Sequence, residues 1–314
     1  MSRVALATSR FALADAAASL EAHVDVDSPE LIAELARRGV DATLEVWDDQ
    51  AVDWTAYDLV VVRSTWGYAA QVEEFLRWAR ARARLLNPYD VIEYSVDKHY
   101  LADLAARGVP VVATSFCEVG EEPSFPEGDV VVKPAVGAGS IDARRFAARE
   151  HDAAREHVAR LHDSRRAALI QPYVTSIDEH GEYAMIFFDG RFSHAMTKRA
   201  HLKVAPEERD GEFRSRQMSR AEERPDAIAL AQRVLTGRFA DLAYARVDLV
   251  PTPDGWRLME LELVEPALYL TYAPEALSRA AHAIARRLPS LGSPNPRESA
   301  SRYPSRAPGV SREG

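Results

Sequence analysis

A chain of 314 residues, 47% hydrophobic and 28% charged, has ordinary globular composition and is long enough for two or three domains with buried cores. Its net charge of −9 excludes a general attraction to nucleic acid or to an anionic membrane surface, but leaves room for a local basic pocket and a small-molecule partner. The single cysteine, Cys117, excludes an intrachain disulfide and a thiolate zinc site, and a cytoplasmic protein is expected.

The opening MSRVALATSRFALADAAASL is interrupted by Arg3, Arg10 and Asp15, so neither a signal peptide nor a membrane anchor is expected. Residues 3–8 read as a short buried strand, 28–40 as a helix ending at Gly39, and 57–64 as an apolar strand. That alternation predicts a βαβ layout, in which loops beyond the strand ends hold ligands. Ser9 and the stretch RSTWGY, with Arg63, Trp66 and Tyr68, are then candidate substrate contacts at one rim. The alternative for Trp66 and Tyr68 is packing against the next helix.

A second unit begins with SVDKHYLADLAARGVP, read as a helix with Ser95 or Asp97 near its start, Gly108 at its end and Pro110 beyond. Lys98 falls in its first turn, where the macrodipole disfavours a cation unless an anion offsets it; a solvated lysine is the alternative. Strand, strand and loop, helix, strand follow at 109–114, 128–140, 149–164 and 167–174. Residues 181–200 read as a hairpin turning at Asp189 and Gly190, and residues 203–217 as a polar, arginine-rich loop. A helix at 225–240 leads into the last hairpin, and residues 291–314, rich in Ser, Pro and Arg, have the composition of a disordered tail. The divisions expected are an N-terminal α/β domain over 1–92, then units over 93–172 and 173–290.

Three features carry chemistry. Lys133 ends a strand of three valines and is followed by Gly137, Ala138, Gly139 and Ser140, a backbone that lets N–H groups approach a phosphate; the alternative is a strand-ending lysine and a flexible turn. Lys198, Arg199, Arg214 and Arg216 flank or occupy the polar loop, either to close over a phosphorylated ligand or as a solvated face. In YARVDLVPTPDGWRLMELELVEP, a turn near Asp254 sets Asp248 opposite Glu260 and Arg246 opposite Glu262. By strict alternation Leu258, Glu260 and Glu262 share one face, and Met259, Leu261 and Leu263 the other. Carboxylates about 5 Å apart repel by roughly 3 kcal/mol at an effective dielectric of about 20, which a hard divalent cation would relieve. A solvated outer face with one Arg/Glu pair is the alternative.

Together these stretches resemble the ATP-grasp superfamily, in its glutathione-synthetase-like and ribosomal-protein glutamate-ligase branch, over residues 91–272. The carriers are SVDKHYL, VVVKPAVGAGS, LIQPYV, GEYAMIFFDG, SHAMTKRA, ARVDLV and MELELVEP, in that order. The resemblance implies a Rossmann-like N-terminal α/β domain and two α+β subdomains that clamp ATP. It implies that Lys98 and Lys133 contact the nucleotide phosphates, that Gly137 to Ser140 cover them, and that Gln171, Pro172, Tyr173 and Val174 hold adenine, with Glu182 facing the nucleotide. It further implies that Asp248, Glu260 and Glu262 hold Mg²⁺, with Mn²⁺ as a second candidate, and that Arg246, with Lys198 and Arg199, stabilises the transferred phosphoryl group. One departure is Glu262, where the family usually carries Asn.

The implied activity is ATP-dependent joining of a carboxylate and an amine through an acyl phosphate, releasing ADP and phosphate. The short N-terminal domain also resembles that of the ring-closing ligases of cycloserine biosynthesis, where amine and acyl phosphate belong to one molecule. A small-molecule kinase and a non-catalytic nucleotide-binding regulator stay open as alternatives, and a homodimer or homotetramer is compatible with all of them.

Overall fold

The computed structural model describes residues 1–13, 25–199 and 217–288. Its N-terminal sheet contains β1 (Ser2–Thr8), β2 (Val40–Val46), β3 (Leu59–Ser64) and β4 (Leu85–Leu86), parallel and in the order β2-β1-β3-β4. Strand β3 is buried throughout, as expected of a parallel strand covered on both faces. Helices α1 (Ser28–Arg37), α2 (Val72–Arg80) and α3 (Tyr89–Ser95) connect this part. Pro29 and Glu30 suit the first turn of α1, while Leu31 and Leu35 sit one turn apart on its buried face.

Helix α4 (Tyr100–Ala106) leads to an antiparallel sheet of β5 (Ser115–Cys117), β6 (Val130–Pro134), β7 (Arg144–Phe146) and β8 (Ala168–Pro172), ordered β5-β8-β6-β7 and backed by α5 (His151–Asp163). After α6 (Ser176–His180) comes a five-stranded antiparallel sheet ordered β11-β10-β9-β12-β13. Its strands are β9 (Glu182–Phe188), β10 (Arg191–Arg199), β11 (Gln217–Arg220), β12 (Tyr244–Thr252) and β13 (Gly255–Glu262), with α7 (Pro225–Val234) before β12 and α8 (Leu277–Ala285) after β13. The β9–β10 turn falls at Asp189 and Gly190, both at positive φ, as expected.

One apolar cluster fuses the N-terminal sheet to the five-stranded sheet through Val4, Leu6, Ile186, Phe188 and Leu268, whereas β6, β8 and α5 enclose a separate one around Val130, Val158 and Ile170. The first union is also pinned by polar contacts. The Tyr244 hydroxyl lies 2.7 Å from the Val62 carbonyl oxygen, 2.9 Å from that of Leu86 and 3.1 Å from that of Val264. Asn87 Nδ2 donates to the carbonyls of Tyr244 at 2.9 Å and Leu263 at 2.8 Å.

Two details differ from expectation. Residues 109–114 form no strand: Pro110 has no N–H, and the segment instead lies along β13, its carbonyl accepting from Leu258 N at 2.8 Å while Val112 N donates to Leu258 O at 2.9 Å. Lys98 precedes α4 rather than occupying its first turn, because its N–H is taken by the Ala135 carbonyl at 2.9 Å. The arginine-rich loop and the C-terminal tail lie outside the described residues, and so does Arg214. Among the described residues no helix is long and apolar enough to cross a membrane.

Candidate active site

The β12–β13 hairpin turns at Pro253 and Asp254, with Thr252 paired to Gly255, and this register runs inward to Leu249 opposite Leu258. There it shifts. Asp248 pairs with Glu260 and Arg246 with Glu262, as the sequence predicts, so Met259 is an extra, bulged residue. The bulge corrects the strict alternation: Leu258 joins Leu261 and Leu263 in the core, while Met259 packs beside Val250 and Ile177. The charged face is no solvated surface either, for Asp248 is 0% exposed and Arg246 5%.

Each carboxylate on this face leans on a cation. Arg246 donates to Asp248 from Nε at 2.9 Å and from Nη2 at 3.0 Å, and also pairs with Glu262. Lys198 Nζ donates to Asp248 Oδ2 at 2.5 Å and sits 3.2 Å from Glu182 Oε1, whose strand position pairs directly with its own. Lys98 Nζ is 3.1 Å from Glu260 Oε1. Burial pushes the Asp248 carboxyl up, but Arg246 and Lys198 outweigh it and hold it well below the usual range. Glu260 is lowered likewise, Lys98 and Lys133 overcoming burial. For Glu262 burial wins over Arg246 and, with Glu260 and Asp248 adding repulsion, pushes it up to about 7. Glu182 is also raised, by burial first. The repulsion anticipated from the sequence is thus largely neutralised by the protein's own cations. Among the described residues no three such groups converge as a ready metal cage, but the donor set is all oxygen, the chemistry that suits Mg²⁺.

Lys133 is the exception. On β6 it shares a face with Val131, burial holds its ammonium pKa down, and it pairs with no carboxylate among the described residues. Close by, Lys98 Nζ donates to the Gly137 carbonyl at 2.6 Å, which ties the glycine run to the hairpin. A Cβ on Gly137 would stand 2.8 Å from Pro134 Cγ, so a larger residue would have to displace the proline ring. Gln171 is buried, its Nε2 donating to Thr114 Oγ1 at 2.9 Å, and Tyr173 N donates to Asp129 O at 2.8 Å. Pro172 and Val174 line a pocket of about 520 Å³ with Val111, Val112, Ala113, Thr252 and Arg257. That pocket sits toward the hairpin turn and excludes the charged cluster.

At the N-terminal rim, Arg63 is 1% exposed; Nη1 donates to the Pro266 carbonyl at 2.9 Å, and Nη2 lies 3.8 Å from Asp25 and 4.0 Å from Asp27. Arg63 Nε and the buried hydroxyls of Ser9 and Thr65 have no partner among the described residues. Tyr68 packs on Phe75 at 4.7 Å between ring centroids, and burial, then Glu265, Glu262 and Glu260, raise its hydroxyl pKa. Trp66 is half-buried. Glu265, 6% exposed, was not among the sequence candidates; its one signal is an acidic residue before a proline just past the hairpin.

A family model described as the N-terminal domain of the D-cycloserine synthetase DcsG matches residues 4–87. The cycloserine biosynthesis protein DcsG of Streptomyces lavendulae is 37% identical over 283 residues, covering 84% of this chain and 95% of that protein. The chain belongs to the DcsG family of ATP-grasp ligases. A crystal structure of the D-cycloserine synthetase DcsG superimposes with a TM-score of 0.79 at 32% identity, covering 91% of this chain and all of the other. More distant are an ATP-grasp RimK domain protein from Sphaerobacter thermophilus, with a TM-score of 0.64 at 17% identity, 92% of this chain and 100% of the other. A D-alanine–D-alanine ligase from Bacillus anthracis follows, with a TM-score of 0.63 at 15% identity, 91% of this chain and 97% of the other.

The fold is therefore ATP-grasp, an α/β N-terminal part followed by two α+β sheets, and the protein is an ATP-dependent, ADP-forming ligase.

Proposed function

We propose that this ligase closes a ring within one small molecule, joining the carboxylate of a short amino acid to a nitrogen on its own side chain. The observation that carries the reading is the likeness to DcsG through the N-terminal part that holds Ser9, Arg63, Trp66 and Tyr68. Cycloserine is a five-membered ring, and disconnecting its amide gives 2-amino-3-(aminooxy)propanoate. ATP supplies a phosphoryl group that turns the carboxylate into an acyl phosphate; the side-chain nitrogen then attacks the carbonyl carbon and phosphate leaves.

In this reading Lys98 and Lys133 take the nucleotide phosphates, Gly137 to Ser140 cover them, and the backbone from Gln171 to Val174 holds adenine beside Glu182. Lys133 feels Glu260 but makes no direct ion pair among the described residues, which supports its part, since a phosphate would complete it. Asp248, Glu260 and Glu262 would hold Mg²⁺, with Mn²⁺ as a substitute; the ion would screen phosphate charge. Arg246 and Lys198, already fixed on Asp248, are preorganised toward charge that develops on the transferred group, and Arg199 adjoins them in sequence. Ser9, Arg63, Trp66, Tyr68 and, from outside the described residues, Arg214 are proposed to face the substrate. The substrate is a small molecule, and neither nucleic acid nor membrane takes part.

Measuring ADP release from the open-chain acid, with and without an added amine, tests this. Ring closure predicts ADP release in step with a cyclic product and no gain from external amine. A requirement for a second amine would assign intermolecular ligation instead.

A further inference from the structure

Glu265 lies three residues beyond the end of β13, 6% exposed, and its carboxylate makes no hydrogen bond or ion pair among the described residues. Around it the protein distributes cations to every other acid of the site: Arg246 to Asp248 and Glu262, Lys198 to Asp248 and Glu182, Lys98 to Glu260. Arg63 is near enough to be felt, yet its Nη1 is committed to the adjoining Pro266 carbonyl and its Nη2 points to Asp25 and Asp27. A buried carboxylate without a partner is costly, and proteins retain one where a ligand completes it.

Position says which ligand. Glu265 follows the hairpin residue Glu262 by three positions, and its two chain neighbours are tied to the other side: the Val264 carbonyl oxygen lies 3.1 Å from the Tyr244 hydroxyl, which also meets the Val62 carbonyl of β3, and the Pro266 carbonyl accepts from Arg63 Nη1 at 2.9 Å. It therefore stands between the charged hairpin and the N-terminal rim, where Ser9 Oγ and Thr65 Oγ1 are also buried without partners. Burial first, then Glu262, raises its carboxyl above the usual range, and a bound cation would lower it again.

We propose that Glu265 is the anchor for a primary ammonium group of the substrate, setting specificity for an α-amino acid over its des-amino counterpart. This rests on the ring-closing reading above.

The test is calorimetric titration of the full chain, with Mg²⁺ and a non-hydrolysable ATP analogue present, using 2-amino-3-(aminooxy)propanoate and 3-(aminooxy)propanoate. Wild type should bind the ammonium-bearing acid about tenfold or more tighter, the scale of one charge-assisted contact. Glu265→Gln should abolish that preference while affinities for the des-amino acid and the nucleotide stay within about twofold, and Glu265→Asp should keep part of it. A wild type that does not discriminate, or a Gln variant that discriminates as well as wild type, overturns the assignment. An equal loss of both acids and the nucleotide also overturns it and makes Glu265 structural. Because no turnover is read, a retained preference in a protein that forms no ring would count against the ring-closing reading alone.

Discussion

Asp248 and Glu260 are cross-strand partners because Met259 is passed over between them. The register set by the turn at Pro253 and Asp254 would otherwise put Met259 opposite Asp248 and rotate Glu260 into the core. The bulge lets one hairpin present Leu258 and Leu261 to the core and two acids to the cleft.

With Asp248 accepting from Arg246 and Lys198 in a buried site, Asp248→Asn should both abolish ATP-dependent turnover and destabilise the ligand-free protein by about 1–3 kcal/mol, since two cations lose their partner. Paired assays of ADP release and thermal unfolding check this. Reasoning from carboxylate repulsion alone predicts the opposite stability change, and an unchanged or raised Tm would restore that view.

Lys133 has the reverse character. It makes no ion pair among the described residues, so if it takes the nucleotide phosphates as proposed, Lys133→Ala should raise the KM for ATP about 10- to 100-fold, the worth of a charge-assisted hydrogen bond, while Tm stays nearly constant. Calorimetry with ATP that finds unchanged affinity would remove Lys133 from the phosphate site.

Glu262→Asn installs the residue that the wider superfamily usually carries. Since burial already pushes the Glu262 carboxyl up to about 7, the charge lost near neutrality is partial, and turnover should persist with an altered dependence on Mg²⁺ and Mn²⁺. Titrating both metals against turnover decides whether Glu262 belongs at the metal.

The acid limit of stability should show His194. Burial holds its imidazole down to about 4 from the ordinary 6.5, and its Nε2 faces the Leu268 carbonyl at 2.9 Å. Below pH 6.5 the unfolded chain takes up the proton before the folded one does. Stability therefore falls as pH drops from 6.5 to about 4, by up to about 3 kcal/mol. His194→Gln should flatten that part of a pH series of urea unfolding curves.

Much of this was legible in the chain because it depends on local order. The valines before Lys133, the Asp189-Gly190 turn and the pairing of Asp248 with Glu260 each follow from neighbours in sequence. What was hidden depends on residues far apart. The capture of Lys98 N–H by Ala135 displaces it from its helix, Pro110 and Val112 lie along β13 instead of forming a strand, and Arg63 reaches across to Pro266. The neutralisation of the acidic face was unreadable for the same reason, since Lys198 and Lys98 come to it from distant segments. Leu258 and Met259 were assigned to the wrong faces because a bulge leaves no mark in an alternating pattern.

The central claim is that the chain activates a carboxylate as an acyl phosphate and closes a ring on it. The direct measurement uses 2-amino-3-(aminooxy)propanoate carrying ¹⁸O in both carboxylate oxygens, incubated with ATP and Mg²⁺ and followed by mass spectrometry of product and phosphate. The account predicts ADP, a cyclic amide retaining one ¹⁸O, and one ¹⁸O in the released phosphate, all in equal amounts. Phosphate without label, or ADP formed with no cyclic product, would contradict it.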